Sequence, residues 1–341
     1  MKILTYFGYV LVILLVGGTS FSMASYSVNE PSHENFTAFL QDVKQELKKK
    51  KIAPELLDEA LGKNPQPDES VIEKLNNQPE SVMTFNEYHS RIVSKERIRK
   101  GKSNFRNNRK ELAEKSKQYN IPAETIVALW GVETAYGKLT GGHSIVKSLA
   151  TLAYKSHRKE FFRKELIKSL QIVQDGHIPL KDLIGSWAGA MGQCQFMPSS
   201  FYRFAQDGNG DGKKDIWNTR ADVFASAANY LKKSGWKDER WGQPVTLTKT
   251  LPSIDMSRQG LSEHQTIKKW KKLGVQPKTG GFHITNDKRK ARLFIPNGPS
   301  GEAYLVYNNF DVILKWNNSS YFAYSVLSLS DKLGESQKNK L

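Results

Sequence analysis

Pro122-Ala-Glu-Thr-Ile-Val-Ala-Leu-Trp-Gly-Val-Glu-Thr-Ala-Tyr-Gly137 reads as a single helix with no wet side. Proline suits the first turn of a helix and glycine its end, which sets the expected limits at Pro122 and Gly137. Ile126, Leu129, Trp130 and Glu133 follow by steps of three and four and share a face. Ala128, Val132 and Ala135 lie opposite and are also apolar, so the helix is expected to be buried nearly all round. Glu133 is then an acid near the end of a core helix. Burying a glutamate costs several kcal/mol unless it is neutralised, paired or lines a cleft. Desolvation raises a carboxyl pKa, which is what a general acid working near neutral pH needs. A structural Glu133 paired with one of the many Arg and Lys residues fits the helix equally well.

Outward from that helix, Gly185-Ser-Trp-Ala-Gly-Ala-Met-Gly-Gln-Cys-Gln-Phe-Met-Pro-Ser-Ser-Phe201 combines glycine and alanine with aromatic residues. Small residues let backbone approach a ligand closely. Ser186, Gln193 and Gln195 supply neutral donors and acceptors, and Trp187 and Phe196 supply flat apolar faces. That mixture suits a sugar ring, with hydroxyls on its rim and C–H groups on its faces. A tight packing corner would use the same residues.

Asp207-Gly-Asn-Gly-Asp-Gly-Lys-Lys-Asp-Ile-Trp-Asn218 follows calcium-loop spacing. Asp207, Asn209, Asp211 and Asp215 offer side-chain oxygens, Lys213 its carbonyl, and Gly212 the sharp turn. Position twelve is Asn218 instead of a bidentate Glu, and position eight is Lys214 instead of an aliphatic residue. Both departures weaken affinity, and Asp222 supplies a missing oxygen only if the chain folds back. A metal-free Asx turn explains the same residues. Any ion here would be structural; the chemistry requires no cofactor.

The whole chain of 341 residues has room for roughly two domains. Its 51 Lys and Arg against 34 Asp and Glu give a net charge of +17, which points to a polyanionic partner. A single cysteine, Cys194, excludes an internal disulfide framework and a multi-cysteine metal site. Lys2, the apolar run Ile3–Val16 and the Ser/Ala stretch ending at Ala24 match a secretory signal, with cleavage expected after Ala24 and a periplasmic or exterior destination. The run falls short of the ~20 residues that span a bilayer, and no cysteine near its end offers a lipid attachment point. Residues 25–120 read as an N-terminal helical region: Phe36, Phe39, Leu40, Val43 and Leu47 recur at helical spacing, Pro54 opens a second helix, and a long basic helical tract covers Thr84 to Lys117. The core occupies 121–240. Within 241–307, Val245-Thr-Leu-Thr, Phe282-His-Ile-Thr, Ala291-Arg-Leu-Phe-Ile and Ala303-Tyr-Leu-Val-Tyr look like strands. Closing helices take 308–333, and 334–341 is expected to be a tail. The class is α+β, mainly α.

Trp130 to Gly137, Gly185 to Phe201, Asp207 to Trp217 and Ala228-Asn-Tyr-Leu231 together resemble the B-type lytic murein transglycosylases. Gln78-Pro-Glu80, Trp270 to Val275 and Asn309-Phe310 through Trp316-Asn317 fit the same family in order, so the resemblance covers roughly residues 33 to 333. It implies a lysozyme-like helical catalytic domain with a groove, N-terminal helices and a small inserted β domain. It also implies cleavage of peptidoglycan glycan strands between N-acetylmuramic acid and N-acetylglucosamine. Carried over by position, Glu133 is the family's acid/base. Ser186, Gln195, Phe196, Tyr230 and Asn309 match groove residues that hold the saccharide, Tyr88 a groove tyrosine, and Arg158 one of two arginines near the stem peptide. The second arginine is His157 here, a departure that puts stem-peptide recognition in doubt. The partial calcium loop is also a family feature. A soluble form without a lipobox, monomeric, with cell-wall synthesis proteins as candidate partners, is what the resemblance implies.

Two other classes compete with that reading. A non-catalytic peptidoglycan-binding scaffold would use the same groove, and a buried Glu133 counts against it. A nucleic-acid binder would explain the charge, but the secretory signal counts against it and no recognition motif is present. Among enzymes the rival is a hydrolytic muramidase. Hydrolysis with retention needs a second carboxylate about 5 Å from the first, and inversion one about 6.5–9.5 Å away. Asp175 and Asp182 are the nearest in sequence, and nothing marks either as buried. A lone Glu133 suffices if the muramoyl 6-hydroxyl is the nucleophile, leaving 1,6-anhydromuramoyl ends.

Overall fold

A computed structural model describes residues 33–77, 83–251, 254–257, 259–298 and 301–338. The expected signal segment, with its cleavage point at Ala24, and the Gln78-Pro-Glu80 motif lie outside the described residues. Helices α1 (His33–Lys49), α2 (Glu55–Leu61) and α3 (Glu69–Asn76) come first, followed by α4 (Phe85–Ile92), α5 (Lys95–Asn107) and α6 (Arg109–Tyr119). The buried helix is α7 (Ala123–Thr134). It is followed by β1 (His143–Ser144), α8 (Ile145–Lys155), α9 (Lys159–Gln174), β2 (Ile184–Gly185), α10 (Pro198–Phe204) and α11 (Arg220–Lys233). The last third holds β3 (Gly242–Leu247), β4 (Gln265–Thr266), α12 (Ile267–Lys272), β5 (Val275–Pro277), β6 (Lys290–Phe294), β7 (Ala303–Val306), α13 (Asn308–Trp316) and α14 (Ser320–Lys338). The architecture is α+β and mainly α. No helix among the described residues is long and apolar enough to cross a membrane.

Two compact units share the chain: residues 33–77 with 133–227, and 83–132 with 228–338. In the first, α8 and α9 pair and α1, α2 and α3 pack on α8. The stripe predicted from spacing does this work in α1, where Phe36, Leu40, Val43 and Leu47 are all buried. The Phe36 ring sits 5.0 Å from that of Tyr154. Arg163 on α9 reaches across to Asp42 and Glu46, both at 2.8 Å, which fixes the approach of α1 to α9.

In the second unit an antiparallel sheet runs in the order β4-β6-β7-β3-β5, with α12 folded beside its β4 and β5 ends. Every residue of central β7 is buried, whereas β3 alternates along Gln243–Thr246 as a strand with one wet face does. Trp270 of α12 is fully buried among Val245, Val275, Leu293 and Leu305, and its Nε1 donates to the Ala291 carbonyl at 3.0 Å.

Three expectations fail here, each for a local reason. The basic tract 84–117 is not one helix: Ser94 caps α5 by accepting from the Arg97 amide, and Asn108 separates α5 from α6 with its own amide on the Asn104 carbonyl. Phe282-His-Ile-Thr is not a strand. The His283 amide donates to the Gln243 side chain at 2.6 Å in place of a ladder partner, while Phe282 and Ile284 pack against the sheet core. And 334–338 continues α14 where a tail was expected.

Trp270→Ala empties the largest fully buried side chain under the sheet and should cost roughly 3–5 kcal/mol. Urea unfolding of the variant measures this; a loss below about 1 kcal/mol would mean that α12 does not close the sheet core.

Candidate active site

Helix α7 is buried at every position from Thr125 to Thr134, as its sequence demands. Glu133 is 5% exposed in its last turn. The helix does not reach Gly137. It stops at Thr134, and Ala135, Tyr136 and Gly137 take φ values of 49°, 64° and 80°. Left-handed backbone costs a non-glycine residue about 1 kcal/mol or more, so two such residues in succession need outside support. Thr134 provides part of it: its carbonyl accepts from the amides of Lys138 and Leu139, and its hydroxyl accepts from the Gly137 amide. The same hydroxyl donates to the Gln193 carbonyl at 3.1 Å.

The Gly-rich segment is a narrow antiparallel ribbon. β1 pairs with β2, Gly185 bridges Met191, and Met191 bridges Phe196. Ser186 makes its turn, donating its amide to the Ala190 carbonyl and accepting the Ala190 amide on Oγ. Glycine is required at Gly185, where a Cβ would lie 2.2 Å from the Ala190 carbonyl oxygen, and at Gly141, where it would lie 2.0 Å from that of Gly185. Gln195 has φ 50° and donates Nε2 to the carbonyls of Thr140 and Gly192. Phe196 is buried, its ring 6.4 Å from Phe204. Ser186, Gln195 and Phe196 thus build the ribbon beside whatever else they do, and they share a compact unit with Glu133. Burial pushes the Cys194 thiol up, with the charges of Glu133 and Asp222 adding to it.

Arg158 sits just ahead of α9 with its guanidinium 4.1 Å over the Phe161 ring, and His157 beside it is exposed. Tyr88, Tyr230 and Asn309 belong to the other compact unit. Tyr230 donates its hydroxyl to the Lys315 carbonyl at 2.5 Å, its ring 4.6 Å from Trp316. Tyr88 is half-buried beside Tyr321. Asn309 is fully buried, and its amide is spent on backbone: it accepts from the Lys237 amide and donates to the carbonyls of Lys237 and Glu239. So placed, the Asn309 amide holds the 237–239 turn.

The Asp207 loop folds as tight turns. Burial pushes Asp207 up, but the amides of Gly212, Gly210 and Asp211 outweigh it and hold the carboxyl below the usual range. Asp211 accepts from Lys213, and Asp215 accepts from Trp217 and Asn218. The Asn218 side-chain amide lies 3.5 Å from the same Asp215 oxygen. The chain does fold back: fully buried Asp222 accepts the amides of Gly208 and Asp215 on its two oxygens. Burial pushes its pKa up to about 6 against those bonds, with the charges of Asp207 and Asp211 adding. Among the described residues no three His, Cys, Asp or Glu side chains gather as a metal-ligand group. Thr134 has no site role in the sequence analysis; its only signal is a hydroxyl directly after the acid. Asp222 enters there only on condition that the chain folds back, and it does.

A family model described as a transglycosylase SLT domain matches residues 35–331. The membrane-bound lytic murein transglycosylase B of Escherichia coli K12 is 32% identical over 212 residues, a match that spans 62% of this chain and 56% of that protein. Among solved structures, SltB3 of Pseudomonas aeruginosa in complex with NAG-NAM-pentapeptide is 37% identical, with TM-score 0.79, covering 88% of this chain and 79% of that one. SltB1 of Pseudomonas aeruginosa is 28% identical, with TM-score 0.76, over 88% of this chain and 99% of its own. An Escherichia coli lytic transglycosylase solved in complex with calcium is 27% identical, with TM-score 0.76, over 90% and 94%. With the family model spanning nearly all of the described chain, the protein belongs to the transglycosylase SLT-domain family, in its B-type lytic branch.

Proposed function

We propose that the chain is a lytic transglycosylase that cleaves the β-1,4 bond from N-acetylmuramic acid to N-acetylglucosamine in peptidoglycan, outside the cytoplasm. The observation that carries the reading is Glu133 itself: an acid buried in the last turn of an apolar helix, beside a ribbon built from glycine, aromatic and neutral polar residues. Glu133 protonates the leaving oxygen while the muramoyl acetamido group stabilises the anomeric carbon. As a carboxylate it then takes the proton from the muramoyl 6-hydroxyl, which closes on the anomeric carbon. That hydroxyl is tethered, and its effective concentration lets it outcompete water. Among the described acids, the two nearest in sequence and the two other buried ones of that unit are exposed or already engaged. Asp182 is exposed, Asp175 accepts the Tyr202 hydroxyl at 2.7 Å, buried Glu165 accepts the Ser199 amide, and buried Asp222 accepts a backbone amide on each oxygen.

Glu133→Gln should lose at least ~10²-fold in rate, the usual scale for a positioned proton donor, while still binding glycan. Digests of purified peptidoglycan by the unaltered chain should give fragments lighter by one water and resistant to borohydride. Predominantly reducible ends would mean a hydrolytic muramidase, and near-native rates for Glu133→Gln would remove the acid altogether.

Calcium in the Asp207 loop belongs to the same proposal. The donor chemistry fits a hard cation: Asp207, Asn209, Asp211 and Asp215 with the Lys213 carbonyl, backed by Asp222, whose burial next to two like charges a cation would relieve. The ion's contribution is structural and enters no step of the reaction. Chelation should lower the melting temperature and calcium should restore it, by about 2.7 kcal/mol at a hundred times Kd. Asp222 is protonated below its pKa of about 6 and ionised above it, so calcium should raise the melting temperature more at pH 7 than at pH 5. An absence of any shift with divalent ions at pH 7 would leave a metal-free turn.

A further inference from the structure

Gln193 looks in sequence like a sugar-facing amide, and the structure puts it elsewhere. It is 9% exposed and every polar group it has is turned inward. Its backbone amide donates to the Ile216 carbonyl at 2.8 Å and its Nε2 to the Trp217 carbonyl at 2.6 Å. Its own carbonyl accepts the Thr134 hydroxyl. Its Oε1 occupies the place where a Cβ on Gly137 would stand, 2.3 Å away, so the side chain lies directly under the left-handed turn that ends α7. One residue therefore touches the turn after the acid on one side and the exit of the Asp207 loop on the other. All of these groups lie within one compact unit.

The consequence concerns the acid. Glu133 is the residue before Thr134, and three left-handed residues follow them. Such a turn is held only where its surroundings over-determine it, and here those surroundings include the Thr134 hydroxyl and carbonyl and the Gln193 side chain. A carboxyl in a last helical turn moves with that turn, and a misplacement of about 1 Å can cost 10²-fold in rate. We infer that Gln193 is a positioning residue for Glu133, a clamp that lets the fold of the 207–218 loop set where the acid stands. The inference rests on the proposed role of Glu133 as the acid/base.

Gln193→Met keeps the length of the side chain and removes its carboxamide, both the oxygen and the NH2. With peptidoglycan fragments as substrate, kcat should fall about 10- to 100-fold with KM within about twofold, the pattern of a group that matters only in the transition state. The pH at which kcat is half-maximal should shift as well, since the carboxyl's surroundings change. The clamp can be opened from its other end without touching Gln193: Thr134→Val should reproduce the loss, and Thr134→Ser, which keeps the hydroxyl, should restore kcat to within about threefold of the unaltered enzyme. Unchanged kcat in a Gln193→Met protein with a native circular dichroism spectrum would overturn the inference. So would equal losses in Thr134→Val and Thr134→Ser, or a fall in rate with an unmoved pH profile, because each describes mere loosening of the fold. Glu133→Gln is the control that separates the two levels. If it stays active the reading of the site fails, and if it is dead while Gln193→Met is fully active only the clamp fails.

Discussion

A carboxyl group surrounded by hydrocarbon is destabilising by several kcal/mol unless something answers it, and the region around Glu133 is organised under that constraint. From Ile126 to Val132 the helix around it is aliphatic, apart from Trp130 and one glycine, and all of it is buried. The helix ends one residue after the acid instead of running on to Gly137. The carbonyl of its last residue, Thr134, accepts the turn amides of both Lys138 and Leu139. The strained turn and the neighbouring ribbon are the two features that give the acid an edge to face in place of more helix.

The polar side chains near that edge hold backbone. Ser186 closes the ribbon's turn, Gln195 ties it to Thr140, and Gln193 ties it to the Asp207 loop. In the other unit Asn309 and Tyr230 do the same for the 237–239 turn and the end of α13. Buried amides and hydroxyls are costly when unmatched and inexpensive when matched, so saturating them inward yields a rigid frame. The ribbon needs such a frame because glycine, which permits its close approaches at Gly141 and Gly185, contributes no stiffness of its own.

Much of this was legible in sequence, and what was not failed for definable reasons. A helix apolar from Ile126 to Val132 with an acid at Glu133 is unusual enough to be read directly, and so is the α1 stripe. Strands β3, β6 and β7 were visible through alternation or β-branched content. Phe282-His-Ile-Thr carries the same apolar alternation but gives its amide to a side chain forty residues away, which no local pattern encodes. The breaks at Ser94 and Asn108 are capping events, and a serine or asparagine inside a basic tract looks the same whether it caps or faces water. Neutral amides are the least legible from sequence: Gln193 stands in a segment whose composition suits a sugar, and it has the burial of a core residue. The Asp207 loop was legible as a turn-rich oxygen cluster, and the return of Asp222 to it was a tertiary fact the spacing left open.

Two buried acids in the first unit show why one carboxylate can be enough. Asp222 and Glu133 are both nearly inaccessible and both bear on Cys194. Asp222 has each oxygen occupied by a backbone amide and lies beside two further aspartates, so it stays where the loop needs it and cannot approach a sugar. Glu165 is likewise engaged at the start of α10, and Asp175 at Tyr202. A two-carboxylate hydrolase needs a second acid to serve as nucleophile or base. For any of these acids that service would compete with the bonds it already makes, and stranding a backbone amide or a hydroxyl costs about 1–3 kcal/mol. Under the proposed mechanism the substrate supplies the second functional group, and these acids keep their partners.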